Sequence, residues 1–489
     1  VGSEMCIRER GRGKGEGAGL QGKKEIRMRR EKDSLGFMDI PDDRSYGIHT
    51  QRALDNFGTG QERHDPLFIT AYLHVKKACA LTNRELGFLD ADRAGFIVAA
   101  IDKLLDGGIY DDIVVNPMSG GAGTSLNMNV NEVIANHALD LAGRPRGDYG
   151  SISPLDHVNL HQSTNDTYPS AFRIAVLMHL ERLEKELTTL QESLQAKEKE
   201  FSHIVKLGRT ELQDALPMTV GMQFSGYSEA MARDRWRIFK ARERIKVLNI
   251  GGTAIGTGFN APQKYIFGVI EHLRKLTGQS ITRAENMVEA TQNLDAVVEV
   301  SGLMKTLAVN LMKISEDIRL LSSGPAGGFG ELVIEPLQEG SSIMPGKINP
   351  VMLEFVTQAA LQVMADDGAI AHAAALGNLE LNQFYPLIST LMLRDFRMLS
   401  QAVTGLDEKV IRGIRVNVER IRQHMDSSVA LLTYLSRTIG HEKAAEVYLK
   451  MKETGRTARE IIITEGILSA EEYDGLTAPE KIMMTGYRT

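Results

Sequence analysis

Residues 176–194 read VLMHLERLEKELTTLQESL, and this stretch decides the fold class. Val176, Leu180, Leu183, Leu187, Leu190 and Leu194 alternate spacings of four and three, which places all six on one face of a long helix. Upstream, Thr167 or Ser170, beside Pro169, is expected to cap its start. A second stripe runs through Val300, Leu303, Leu307, Leu311, Ile314, Ile318 and Leu321, and Gly324 and Pro325 stop it. Further helical stretches are expected from about Ser225 to Val247, from Val351 to about Ala375 and from Pro386 to about Val416. Core packing accounts for most of this pattern. Length adds something, because a helix of about 30 residues spans about 45 Å. A small monomer cannot bury such a helix all round, so an extended bundle with association between subunits is expected. Strand-like alternation is sparse, and there is no internal repeat.

The chain has 489 residues, 43% of them apolar, which is ample for a large core of two to four domains. A formal net charge of −6 lacks the basic excess of a nucleic-acid binder. Cys6 and Cys79 are the only cysteines, so neither a disulfide framework nor a Cys-rich zinc site is available, and the chain reads as cytoplasmic. No apolar run reaches membrane-spanning length. Residues 1–31 are rich in Gly, Arg, Lys and Glu and lack a signal-like apolar stretch. They read as a disordered tail, with Met28 a plausible start and a basic nucleic-acid arm the weaker alternative.

Four loops interrupt the helical pattern: SGGAGTSLNMNVNE (119–132), HQSTNDTYPS (161–170), GRTELQDALPM (208–218) and GSSIMPGKINP (340–350). Any one of them reads as readily as a turn, a helix cap or a solvated stretch. Together they share hydroxyls, amides and one lysine. That set suits a dianionic small molecule, with its carboxylates gripped by neutral donors and one cation.

In these blocks the chain resembles the aspartase/fumarase superfamily of lyases, from about Tyr46 to the C-terminus, and within it the aspartase branch. GSSIMPGKINP is highly specific, and GGAGTSLNMNVNEVIAN, HQSTNDTYPSAFRIA, GRTELQDALPMT, GGTAIGTGFN and IRLLSSGP follow in family order. The resemblance implies a mainly α, three-domain fold with a central long-helix bundle, assembled as a homotetramer whose sites each draw on three subunits. It implies that Ser341 is the base, on a mobile loop hinged at Gly340 and Gly346. Thr124, Ser163, Thr164 and Ser342 would surround the substrate's β-carboxylate and its aci form. Asn165 would hold the amino group, and Thr210, Lys347 and Asn349 the α-carboxylate. The implied reaction is anti-elimination of ammonia from L-aspartate to give fumarate. No cofactor or catalytic metal is implied, and divalent-metal activation is left open.

Departures from the pattern matter. Glu211 stands where fumarases and many aspartases have His, or some aspartases Gln, and a carboxylate there favours an amino over a hydroxy substrate. Its implied neighbour is Glu354, and two adjacent carboxylates would compete for one charge. Ser119, Ala326, GMQF and LNQFYP also differ from common text. The alternatives are a fumarate hydratase on the same fold, a non-catalytic helical tetramer, and an ammonia-lyase with a self-made electrophile. The last needs an Ala-Ser-Gly tripeptide, which is absent. GGTAIGTG lacks the Gly-Lys-Ser/Thr ending of a phosphate loop. Expected domains are 1–31 (tail), 32–162, 163–418 (central bundle) and 419–489 (small helical domain).

Overall fold

Two strands precede the first helix. β1 (Met28–Asp33) pairs antiparallel with β2 (Gly36–Pro41) in a hairpin. The computed structural model describes residues 27–60, 63–107 and 111–484. Most of the expected tail, residues 1–26, lies outside the described residues. Its last four residues are not a tail: they belong to β1, where Glu31 is buried and accepts the Ile48 N–H at 2.8 Å. The sequence hid this strand because Met28–Asp33 carries five charged side chains in six positions.

Helix α1 (Ile48–Phe57) starts at Gly47, which offers no side-chain cap. Glu132 supplies the cap from a distance. Its carboxylate accepts the N–H groups of Gly47 at 2.9 Å, His49 at 2.8 Å and Thr50 at 3.1 Å, and the Thr50 hydroxyl at 2.6 Å. A Cβ at Gly47 would sit 2.9 Å from the Glu132 carboxyl carbon, so only glycine fits. α2 (Pro66–Glu85) is capped by Asp65, which also takes His179 at 3.0 Å and Arg397 at 2.6 Å. α3 (Ala91–Asp106) and α4 (Thr124–Leu141) complete this region.

α5 (Thr164–Glu200) carries the leucine stripe, and each of its six residues is at most 1% exposed. Its cap is Ser163 rather than Thr167 or Ser170. The Ser163 hydroxyl accepts the Asn165 N–H while Asp166 reaches back to the Ser163 N–H. Pro169 lies inside the helix. β3 (Val205–Thr210) and β4 (Gln213–Thr219) then form an antiparallel hairpin where the sequence suggested a loop. α6 (Val220–Ile245) returns along α5, followed by α7 (Gln263–Thr277) and α8 (Met287–Gln292). α9 (Asp295–Leu321) carries the second stripe, with Leu303 half-buried and the rest buried. α10 (Val351–Ala375) matches its expected bounds. α11 (Tyr385–Leu406) is shorter than expected: a π-helical turn, Asp407–Ile411, ends it. Arg415–Val416 then pairs with Leu332–Val333.

One continuous hydrophobic core joins α2–α6 and α9–α11. Six further helices follow between Val418 and Ile482; those from Ala430 to Leu476 have a separate core around Leu432, Val447, Ile461, Ile462 and Tyr473, while Ile421 of the first packs into the main core. Among the described residues, no helix is long and apolar enough to cross a membrane.

Truncating the middle of the α5 stripe should be costly. Leu187→Ala is expected to lose about 2–5 kcal/mol of stability by chemical denaturation, from lost burial and the cavity left behind. A loss below about 0.5 kcal/mol, ordinary for a surface site, would contradict the placement.

Candidate active site

The first group of polar side chains gathers at two helix starts. α4 begins at Thr124, after Gly123, whose φ is +92° and whose added Cβ would lie 2.2 Å from the Tyr168 ring. Glycine is required there by both the backbone conformation and the ring. Thr124 is exposed, and its hydroxyl donates to the Gly121 carbonyl at 2.8 Å. At the start of α5, Thr164 is buried, Ser163 is the cap, and the Asn165 amide donates to the Ala254 carbonyl at 2.7 Å. Free N–H groups of both helix starts add partial positive charge.

Asp166 locks this corner. It is buried and accepts N–H groups from Ser163 at 3.0 Å, Gly251 at 3.1 Å and Thr253 at 3.0 Å. Burial pushes its pKa up to about 7, against the pull of those N–H donors. The resulting cleft, of about 870 Å³, is lined by Asn159, Gln162, Ser163, Thr253, Ile255 and Phe259. Beneath it lies a cluster that sequence reading missed. Lys76 on α2 is buried and donates to Asn127, Asn159 and Gln162, while the Tyr72 hydroxyl meets Asn127 and Thr167. A signal existed: Lys76 falls four residues after Tyr72 and three before Cys79, on the buried stripe of an apolar helix.

The second group is the tip of the β3–β4 hairpin. Thr210 pairs with Gln213, so Glu211 and Leu212 form a two-residue turn. Their φ values are +53° and +64°, a left-handed pair that usually calls for Asn or Gly. Thr210 and Glu211 are exposed, and the Glu211 side chain has no partner among the described residues. It does not meet Glu354 within the chain as expected. The hairpin is anchored by buried Glu331, which takes Arg209 at 2.6 Å, Lys206 at 3.2 Å and His424 at 2.8 Å. Burial would raise the Glu331 pKa, and these three neighbours outweigh it, leaving the carboxyl below its ordinary value.

The third group is the 340–350 loop. Ser341 Oγ accepts the N–H groups of Ile343 at 3.2 Å and Met344 at 3.0 Å. Gly340 N–H donates to the Lys347 carbonyl at 2.9 Å, and the Asn349 amide to the Gly340 carbonyl at 2.8 Å, closing the loop at its base. A Cβ on Gly340 would lie 2.5 Å from the Lys347 carbonyl oxygen. Gly340 therefore serves close packing at the loop's foot and is not a free hinge. Gly346, with φ +78° and open space around it, has the freedom expected of one. Ser342 and Lys347 are exposed, and the Lys347 side chain has no partner among the described residues.

Nothing joins these three groups within one chain: among the described residues no hydrogen bond or ion pair links any two. For Ser163 and Thr210 the reason is geometric. The 37 residues of α5 lie between them, a rod of roughly 55 Å at 1.5 Å per residue. The ten residues from Glu200 to Thr210 can double back by at most about 36 Å. The two backbones are therefore at least roughly 20 Å apart and their hydroxyls at least roughly 15 Å, still well beyond the length of a small dicarboxylate.

The chain matches known proteins over most of its length. The family described as Lyase matches residues 36–365, and Fumarase C C-terminus matches residues 431–484. The aspartate ammonia-lyase of Bacillus sp is 41% identical over 459 residues, covering 94% of this chain and 98% of its own length. That of Escherichia coli (strain K12) is 40% identical over 464 residues, covering 94% and 97%. The crystal structure of a fumarate lyase:delta crystallin from Brucella melitensis superposes with a TM-score of 0.89 at 42% identity, covering 94% of this chain and all of the other. A recombinant class II fumarase from Schistosoma mansoni superposes at 0.85 with 33% identity, covering 94% and 99%. By family match, fold and full-length identity, the chain belongs to the aspartase/fumarase family of lyases.

Proposed function

We propose that the chain is an aspartate ammonia-lyase, a carbon–nitrogen lyase that converts L-aspartate to fumarate and ammonia. The observation that carries this reading is the 340–350 loop. It presents a hydroxyl whose oxygen already accepts two backbone N–H groups, and it carries Lys347, an exposed lysine with no side-chain partner among the described residues. Those N–H groups stabilise negative charge on Ser341 Oγ, which lets a serine act as a base without a histidine. Support for ammonia over water as the leaving group comes from the relatives: the aspartate ammonia-lyases reach 41% identity, the class II fumarase 33%.

In the proposed reaction Ser341 acts as its oxyanion, its hydroxyl proton having passed to solvent; Oγ takes the proton from Cβ, and the electron pair moves into the β-carboxyl group as an aci-carboxylate. Thr124, Ser163, Thr164 and Ser342 hold that doubly charged group with neutral donors. The pair then returns to form the Cα–Cβ double bond, the Cα–N bond breaks, and ammonia leaves beside Asn165 and Glu211. Thr210, Lys347 and Asn349 hold the α-carboxylate. Loop closure excludes water while the dianion exists. No step calls on a cofactor.

The reading includes a homotetramer with sites shared by three subunits, which the separation of at least roughly 20 Å between the Ser163 and Thr210 backbones of one chain supports. Exposed Trp236 and Phe239 on α6, Val309 on α9 and Leu361 on α10 supply apolar faces for such contacts. A cytoplasmic location is the reading that suits such a metabolic enzyme.

The direct test is purified chain with L-aspartate and with L-malate, following fumarate by its ultraviolet absorbance. Turnover of aspartate is expected; turnover of malate alone would establish the hydratase instead. Ser341→Ala should lower kcat by about 10²–10⁴-fold, the worth of positioned proton transfer, with assembly unchanged. Retention of a third of the activity would remove Ser341 as the base. Glu211→Gln should lower kcat/KM for aspartate by the equivalent of about 1.5–3 kcal/mol, the worth of a charge-assisted bond to the ammonium group. An unchanged value would make Glu211 a bystander.

A further inference from the structure

Lys76 is a buried cation that the proposed chemistry leaves unused. It lies on α2 and is 0% exposed. Its Nζ donates to Asn127 Oδ1 at 2.7 Å, Gln162 Oε1 at 2.8 Å and Asn159 Oδ1 at 3.0 Å. All three acceptors are neutral amides, and no carboxylate forms an ion pair with it among the described residues. Burying a charge without a counter-ion is costly, and it persists where something else compensates. Burial draws its pKa down to about 7. The acceptors pull the other way, because a neutral amine has two N–H groups and would turn its lone pair on one of the three oxygens.

The three amides lead to the site. Asn127 lies one turn into α4, three residues after Thr124. Gln162 directly precedes Ser163, and Asn159 shares that connection. The ammonium therefore ties together the two segments that carry Thr124 and Ser163–Asn165, beneath the starts of α4 and α5. Two nearby acidic groups act on it: the Cys79 thiol, which burial pushes up to about 12, and Asp166, the only carboxyl of the two, which is engaged by three backbone N–H groups.

We propose that Lys76 is a positioning residue whose charge completes the field that holds the substrate's β-carboxylate, with the bound dicarboxylate serving as its missing counter-ion. This rests on the reading of the chain as a dicarboxylate lyase. Its effect should be greatest when that carboxyl group carries the second negative charge of the aci form.

A mere structural clamp and a charge can be separated, because Asn159 Oδ1 only accepts. It takes Lys76 Nζ together with the amides of Asn127 and Asn131, each at 3.2 Å. Asn159→Asp keeps all three bonds and gives Lys76 a fixed counter-ion; it loses one 3.3 Å bond from Asn159 Nδ2 to the Gln162 carbonyl. The experiment measures succinate binding by calorimetry and aspartate turnover for the wild type, Asn159→Asp and Lys76→Met. Asn159→Asp is expected to melt as the wild type does, to bind succinate at least about tenfold more weakly, and to lose at least as much in kcat/KM. That is the scale of one unit charge several ångströms away at an effective dielectric constant of about 20. If Asn159→Asp binds succinate within twofold of the wild type, the charge has no such role and Lys76 is only a clamp. Should Asn159→Asp not fold, Gln162→Glu brings a carboxylate to the same ammonium, and the same binding constant decides. A wild type that binds succinate but leaves aspartate untouched would overturn the ammonia-lyase reading and not this one.

Discussion

A single rigid element governs this structure. α5 is one continuous helix whose six stripe residues are all buried, and it fixes Ser163 at one end and the β3–β4 hairpin beyond the other. A helix cannot be compressed, so no loop motion within one chain brings Thr210 to Ser163. The chemistry proposed for these residues then has assembly as a precondition. The same hydrophobic repeat that makes the rod stable also sets the spacing of the fragments that, in the proposed tetramer, copies would bring together. Stability and function meet in one sequence pattern.

Much of this was legible before the structure. The two stripes predicted α5 and α9 because an apolar side chain returns at a period near 3.6 over many turns, which is the mark of a helix. The start of α10 was legible to the residue, since Pro350 bounds it sharply. The strands were not. β1 is nearly all charged, and β3–β4 turns through Glu211 and Leu212, where turn chemistry would ask for Asn-Gly. A strained turn at the very position proposed to face substrate is the kind of local rule-breaking that function tolerates. The end of α11 was missed because a π-helical turn continues the apolar pattern after the α-helix has stopped.

The polar groups were harder than the core for a related reason. Ser163, Thr164 and Asn165 could be read as a cap, and the structure makes Ser163 one. A cap and an anion site use the same hydroxyls and N–H groups, so the sequence alone does not divide them. Lys76 and Asp166 stayed hidden in apolar and capping surroundings, although their hydrogen bonds define the floor and one wall of the cleft. Side chains that act through others carry no motif of their own.

The placing of the two lysines suggests an order of events. Lys76 is fixed in the floor and held by three amides, so its field is present before substrate arrives. Lys347 is exposed on the same loop as Ser341 and has no side-chain partner among the described residues. In the proposed reaction the loop therefore delivers the base and the cation for the α-carboxylate together, onto a β-carboxylate already seated. A serine base carried on the closing loop stays in water, where it is weak, until the substrate is enclosed. Closure alone then couples recognition of both carboxylates to removal of the proton, which is how a hydroxyl with no histidine beside it can be selective as well as reactive.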